Sequence, residues 1–301
     1  MSLSATAILR HFAYWAISTN KAMNANDERN VESVIRQTVS LIDNGRIYSR
    51  LGQPTKALAC FVKAVAICRP LSAHSDLVTF SLSQALDNQA NALVDLERVT
   101  EAIPVYEQAI QIHENNRHGD GEPEEIREMA ISVMNQGRAF MLQGLHDEAR
   151  ECFQRAIADF WDCGTCEDLA LGLVNYGDLC FRQGNLNEAV AVFSKSVAAW
   201  QTVVANGFEE WKVEYSYSLF SLADVFFRLG CYRDALEFAQ RAAVIQRDIL
   251  NYTNDPQDRN DLRDILKLCG DILNKLGEAD VGAWRWTEFE KNSVANNAAL
   301  N

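Results

Sequence analysis

The positions of small, aromatic and polar residues along the chain predict a series of paired amphipathic helices. The clearest pair spans residues 134–156, where a glycine precedes an aromatic residue and a turn glycine, and alanine, aromatic and alanine positions follow at helical spacing. In order, these positions are Gly137, Phe140, Gly144, Ala149, Phe153 and Ala156. We therefore expect two short helices joined by a tight turn, with a small residue wherever the helices touch.

The same order of positions recurs along the chain. The small residues that open the six copies are 40 to 47 residues apart and are Gly45, Ala90, Gly137, Gly177, Ala223 and Gly270. Two copies depart from the order, because Glu97 stands where the second copy should have its turn glycine and Ala239 replaces the aromatic residue of the fifth. The recurrence predicts a repeat array over residues 31–290.

Close packing of helices explains why these residue types recur. A glycine or alanine in the first helix and alanines in the second let the two backbones approach, and the aromatic residues fill the space between pairs. A glycine between the helices adopts a positive φ at little steric cost and so ends the first helix. One hairpin cannot bury its apolar face alone, so neighbouring hairpins must cover it.

The two ends of the chain lack the repeat pattern. Residues from about Ser4 to Met23 predict an N-terminal helix, and residues 24–30 predict a polar break, so that residues 1–30 form a separate segment. The apolar face of the predicted helix consists of Ile8, Leu9, Phe12, Trp15 and Ala16. The tail, residues 291–301, has no periodicity, and we expect it to be disordered.

The repeated signature resembles the tetratricopeptide repeat. The period is longer than the 34 residues of the familiar repeat and is similar to the long variants of kinesin light chains and Pins-type adaptors. A HEAT or armadillo array has a comparable period, but the spacing inside each hairpin favours the tetratricopeptide repeat. The resemblance implies an all-α, right-handed superhelical solenoid of about six hairpins, whose first helices line a concave groove that holds an extended or helical peptide.

Composition excludes several classes of function. The formal net charge of −13 argues against general nucleic-acid binding, which needs a basic surface. The longest apolar runs are too short to span a bilayer, and the eight cysteines fall mostly inside helical patterns, as expected of buried thiols in a reducing compartment. We therefore predict a soluble, cytoplasmic protein that needs neither cofactor nor metal and contacts neither nucleic acid nor membrane.

Three asparagines occupy equivalent positions, two residues before a small anchor: Asn88, Asn135 and Asn175. The resemblance implies that they hydrogen-bond a peptide main chain in the groove. An amide suits this task because it offers a donor and an acceptor without a charge to desolvate. The alternative is that these amides bond only across neighbouring helices.

Polar and charged residues occupy two further sets of positions that the resemblance places in the groove. One residue after each anchor, or one turn further, stand Arg46, Asn91, Arg138, Asp178, Asp224 and Arg50. The planar fork of arginine suits a carboxylate, so Arg46 and Arg138 are expected to select the charge of the partner. The alternative is pairing of arginine with aspartate between adjacent first helices.

Apolar residues on the same helices predict an anchoring strip. Met134, Phe181 and Phe227 belong to the set expected on the inner face, and an apolar strip flanked by charges suits the apolar face of a partner helix. Packing between repeats is an equally good explanation for any single one of them.

Two other groups of residues invite a chemical interpretation. Cys163 and Cys166 form a CxxC motif, but redox chemistry needs a βαβ context that is missing here, so a loop with two free thiols is favoured. His113 and His118 lie near carboxylates without the spacing of a known metal site, and a solvated loop is expected there. The sequence offers no positive evidence for an enzyme.

The functional prediction is an adaptor or scaffold that binds a protein or peptide in the concave groove. The alternative is a regulatory sensor, in which the repeats close on a small ligand or peptide and switch a partner. Formation of a homo-oligomer through either end of the array is left open.

Overall fold

The computed structural model describes residues 25–72, 75–116 and 122–277, with side chains from residue 30 onward. These residues form eleven α-helices and no strand. The helices are α1 Ala25–Arg50, α2 Pro54–Cys68, α3 Asp76–Asp95, α4 Val99–Asn116, α5 Pro123–Gln143, α6 His146–Cys163, α7 Cys166–Arg182, α8 Leu186–Ala205, α9 Lys212–Arg228, α10 Tyr232–Thr253 and α11 Pro256–Leu276. A 3₁₀ turn, Glu209–Trp211, precedes α9. The predicted all-α class is confirmed.

The chain divides into two compact units that part between Cys163 and Gly164. The first unit contains the hairpins α1–α2, α3–α4 and α5–α6. The second contains α7–α8, α9–α10 and α11. Within each unit, every helix packs against the helix that follows it, and the first helices of successive hairpins also contact each other.

In three hairpins a glycine of the first helix lies against an aromatic ring of the second. A Cβ atom built on Gly137 would lie 2.9 Å from the ring of Phe153, and one on Gly177 would lie 2.7 Å from the ring of Phe193. Neither ring could stay in place beside a side chain, since real Cβ contacts are longer. The spacing of sixteen residues between anchor and aromatic ring therefore reports a helix contact, as the sequence predicted.

The turns between hairpin helices use the left-handed backbone conformation. Gly144 ends α5 at φ 78°, and its amide and that of Leu145 donate to carbonyls in the last turn of the helix. Glu97 occupies the same conformation at φ 61°, although it carries a side chain. The second hairpin thus keeps the turn without the glycine that favours it.

The first helix begins earlier than the sequence predicted. The polar break expected at residues 24–30 is wrong from Ala25 onward, because α1 starts there. The stretch contains neither proline nor glycine, so nothing in it stops a helix. Among the described helices, none is long and apolar enough to cross a membrane.

Several predictions concern residues outside the described ranges. These are the N-terminal helix at 4–23, the last part of the repeat array at 278–290, and the tail at 291–301.

Candidate functional site

In the first unit, the predicted groove residues Arg46 and Asn88 contact each other. The Nε of Arg46 on α1 donates to Oδ1 of Asn88 on α3 at 3.2 Å, and Nδ2 of Asn88 donates to the carbonyl of Gln84 at 2.6 Å. Both ends of the Asn88 amide are thus engaged within the unit. Asn88 therefore positions Arg46. This contact is of the kind described by the alternative interpretation, in which the amides bond across neighbouring helices.

Asn91 is also used inside the first unit. The hydroxyl of Tyr106 on α4 donates to its Oδ1 at 2.6 Å, which fastens α3 to the second helix of the same hairpin. Burial raises the pKa of Tyr106, and the nearby charge of Asp87 adds to the effect. The Tyr106 hydroxyl therefore remains a hydrogen-bond donor at neutral pH.

Asn135 and Arg138 on α5 are different, because neither makes a hydrogen bond or an ion pair within the described part of the chain. Asn135 is half-buried and Arg138 is exposed. Residues three apart are neighbours on a helix surface, so the amide and the guanidinium lie side by side. Arg50 at the end of α1 is likewise exposed and unpaired, whereas Met134 is buried and belongs to the core.

In the second unit, two predicted groove residues of α7, Asn175 and Asp178, make hydrogen bonds within the unit. Nδ2 of Asn175 donates to the carbonyl of Leu171 at 3.0 Å. The hydroxyl of Tyr217 donates to Asp178 at 3.2 Å. Burial, followed by the charge of Asp178, raises the pKa of Tyr217 to about 12. Asp178 therefore holds a neutral phenol beside it across the range of physiological pH.

An arginine joins two of the other predicted residues of this unit. The guanidinium of Arg228 lies 4.1 Å from the centre of the Phe181 ring and pairs with Asp224 on its own helix at 3.3 Å. The ring of Phe227 tilts against that of Tyr232, with centroids 5.7 Å apart. Both phenylalanines are half-buried, so each combines packing with an accessible edge.

The sequence interpretation missed a buried polar cluster between the second and third hairpins. Ser132 on α5 donates to Oδ2 of Asp87 on α3 at 2.7 Å, and Nε2 of His113 on α4 lies 3.9 Å from the same oxygen. The loop expected at His113 is wrong, because α4 runs to Asn116 and the imidazole is only 7% exposed. Oδ1 of Asp87 and Nε2 of His113 are buried without a hydrogen-bond partner.

Burial governs the protonation of this cluster. It raises the pKa of Asp87, although the nearby His113 and the hydrogen bond from Ser132 lower it in part. Burial also raises the pKa of Glu128, which lies in the first half of α5. No periodicity in the sequence marks these residues, since the contact joins three helices.

The cluster contains a serine, a histidine and an aspartate but not the arrangement of a hydrolase. The hydroxyl of Ser132 donates to the carboxylate and not to the imidazole, so His113 is not placed to act as its general base. Ser132 is also fully buried, which closes it to a substrate. Among the described residues, no group of three His, Cys, Asp or Glu side chains is placed to hold a metal ion.

The two cysteines of the CxxC motif lie at helix ends. Cys163 closes α6, and its thiol donates to the carbonyl of Pro123 at 3.2 Å. Burial raises the pKa of Cys163, and neighbouring carboxylates add to the effect. A redox-active cysteine needs the opposite shift.

Comparison with known families identifies the hairpins. Three family models described as tetratricopeptide repeat match residues 44–70, 88–162 and 128–202. Over these residues the chain matches the tetratricopeptide repeat, and the resemblance drawn from the sequence is confirmed. Such repeats are generally non-enzymatic, and these matches support a role in protein–protein interaction.

Solved structures share the fold. BtubC (BKLC) from P. vanneervenii is 15% identical, with 80% of this chain and 91% of that chain covered at a TM-score of 0.66. The repeats of a putative kinesin light chain from Podospora anserina are 21% identical, with coverages of 72% and 98% and a TM-score of 0.56. Aspartyl phosphate phosphatase F from Bacillus subtilis is 10% identical, with coverages of 97% and 84% and a TM-score of 0.61. At these identities the likeness concerns the fold. A search of the curated proteins finds no match.

Proposed function

We propose that this chain is a scaffold that binds a peptide or partner helix along the first helices of its hairpins. The observation that carries the proposal is the pair formed by Asn135 and Arg138. Both are presented by α5, and neither makes a hydrogen bond or an ion pair within the described residues. Asn88, the residue equivalent to Asn135 in the preceding repeat, already has its partners inside the unit.

The Asn135 amide makes no hydrogen bond within the described residues and is therefore available to an external partner. Asparagine lowers helix stability by roughly half a kcal/mol relative to alanine, and here no internal hydrogen bond offsets that cost. The amide can donate to a main-chain carbonyl and accept from a main-chain N–H of a bound segment. Arg138 lies one turn away and can pair with a carboxylate of the same segment.

The rest of this surface favours an acidic partner. Arg50 is exposed and unpaired, and Arg46 is held in place by Asn88. Three guanidinium groups on α1 and α5 therefore face a partner within one unit, in a chain whose formal net charge is −13. A partner segment with acidic residues would gain charge-assisted hydrogen bonds here.

The second unit offers a more apolar surface for the same function. The stacked pair of Phe181 and Arg228 presents a flat apolar and cationic face, and Asn175 retains an amide oxygen beyond its one internal bond. Phe227, the residue before Arg228 on α9, is half-buried against Tyr232 and adds a second partly exposed aromatic ring. Such a surface suits an aliphatic or aromatic side chain of a bound segment.

Affinity capture from the chain's own cells tests the proposal. Wild type is compared with Asn135→Ala/Arg138→Ala and with Lys63→Ala, which removes an exposed charge from the second helix α2. Partners that use the first helices are expected to be lost from the double variant alone. Identical captures from all three proteins would contradict the proposal.

The alternative of a ligand-responsive sensor remains a prediction, as do the cytoplasmic location and the absence of nucleic-acid and membrane partners. A decrease in solution scattering radius on adding a captured peptide would favour the sensor. An unchanged radius would favour a rigid scaffold.

A further inference from the structure

A second surface of the first unit, formed mainly by second helices, contains a groove of about 420 Å³. We call it the outer groove and define it by Glu107, Ile110, Val133, Gln136, Glu151 and Cys152. These residues come from α4, α5 and α6. None of them belongs to the surface that was proposed above to bind a peptide, so the inference below is independent of that proposal.

The outer groove has an apolar floor and an acidic rim. Ile110 and Val133 are 8% and 2% exposed and form the floor. Glu107 and Glu151 are exposed on opposite sides, and neither makes a hydrogen bond or ion pair within the described residues. The rim therefore carries two carboxylates that no cation of the described chain neutralises.

Gln136 places an amide at the bottom of the groove. Its side chain lines the groove, although the residue is only 8% exposed. The thiol of Cys152 donates weakly to one end of the amide at 3.8 Å, while the other end has no hydrogen-bond partner in the described structure. Because rotation of the amide exchanges its oxygen and nitrogen, Gln136 can turn an acceptor toward a ligand.

The other titratable groups of the lining add no net charge and leave the two rim carboxylates uncompensated. Arg155 is the cation of the lining, and it is held by Glu114 at 2.8 Å. Burial raises the pKa of Cys152 to about 11. The charge of Arg155 lowers this pKa in part, whereas the charges of Glu151 and Glu148 raise it. The raised pKa keeps the Cys152 thiol neutral, so it adds no charge to the groove.

We propose that the outer groove binds the guanidinium group of an arginine in a partner segment. The apolar stem of the arginine would lie on Ile110 and Val133, and the cationic head would contact Glu107, Glu151 and the amide oxygen of Gln136. Arginine fits better than lysine, because its planar head presents five donors to acceptors that lie in different directions. The amide at the floor requires a directional donor, which a general attraction for positive charge would not explain.

The test uses the full chain and short blocked peptides of five residues, Gly-Gly-Xaa-Gly-Gly, in which Xaa is arginine, lysine or citrulline. Citrulline keeps the shape of arginine and removes the charge. Binding is followed by NMR through the side-chain amide signal of Gln136. We expect the arginine peptide to shift this signal and to bind at least tenfold more tightly than the citrulline peptide, with the lysine peptide between them.

Matched variants locate the site. Glu107→Gln/Glu151→Gln should weaken binding of the arginine peptide at least tenfold, whereas Glu237→Gln/Asp248→Asn, which removes two exposed carboxylates from α10, should leave it unchanged. Circular dichroism establishes that both variants fold. An unmoved Gln136 signal, equal binding of the citrulline peptide, or equal weakening by both double variants would overturn the proposal. Loss of peptide binding in Asn135→Ala/Arg138→Ala would also overturn it.

Discussion

The backbone of Gly137 lies so close to the ring of Phe153 that a Cβ atom there would be 2.9 Å from it. Gly137→Ala should therefore lower the free energy of unfolding by about 1–3 kcal/mol, because overpacking outweighs the gain in helix propensity of about 1 kcal/mol. Urea unfolding followed by circular dichroism measures the difference.

A double-mutant cycle ties this effect to the ring. In a Phe153→Leu background the smaller side chain leaves room for the new methyl group, so Gly137→Ala should cost less than it does in wild type. An equal cost in both backgrounds would show that the glycine is needed for another reason.

Glu97 offers a stabilising substitution. It adopts φ 61° at the end of the first helix of the second hairpin, where the other described turns have glycine. Glu97→Gly should raise the free energy of unfolding by about 0.5–1 kcal/mol, since it removes strain at a small cost in chain entropy. Gly144→Ala is the matched reverse change and should lower stability. If both substitutions destabilise, the left-handed turn is not what decides stability at these positions.

Asn88 and Asn135 should respond differently to alanine. Asn88→Ala removes the acceptor of Arg46 and should lower the free energy of unfolding by about 1 kcal/mol. Asn135→Ala breaks no bond in the described residues, so it should leave stability within about 0.5 kcal/mol of wild type. Thermal and urea unfolding of the two variants check this. A large loss in Asn135→Ala would assign that amide to the fold.

The buried Asp87 should give stability a definite pH dependence. Because burial raises its pKa, the folded state holds the proton more tightly than the unfolded chain. Its contribution is therefore fully present below the ordinary carboxyl pKa of about 4 and is lost as pH rises through the raised value. Glu128 contributes with the same sign.

Asp87→Asn isolates the contribution of the Asp87 carboxyl group to the pH dependence of stability, because asparagine can still accept from Ser132 and can donate toward His113. The free energy of unfolding of wild type minus that of Asp87→Asn should fall as pH rises from 4 to 8. A difference that rises with pH would mean that His113 stabilises the charged carboxylate more than burial disfavours it.

The spacing of small and aromatic residues was sufficient to predict the hairpins. Gly137 and Phe153 are sixteen residues apart because each belongs to a different helix at one contact, and that contact recurs in every well-preserved repeat. The pattern reports packing inside one hairpin, and for that reason it identified the turn at Gly144 and the departure at Glu97.

The contacts of the candidate site could not be predicted from the spacing of residues in the sequence. Equivalent positions suggested equivalent roles for Asn88 and Asn135, yet Arg46 on the neighbouring first helix engages only Asn88. The cluster of Asp87, His113 and Ser132 joins three helices, so no single periodicity could show it. Contacts between hairpins depend on which side chains happen to meet, and the repeat signature does not encode them.

The most direct test of the central claim uses a peptide selected from a random display library on the wild-type chain. Its dissociation constant is measured by titration calorimetry on wild type, Asn135→Ala/Arg138→Ala and Lys63→Ala, after circular dichroism has established that all three fold. We predict at least tenfold weaker binding to the double variant and unchanged binding to Lys63→Ala. Equal dissociation constants for wild type and the double variant would contradict a binding role for Asn135 and Arg138.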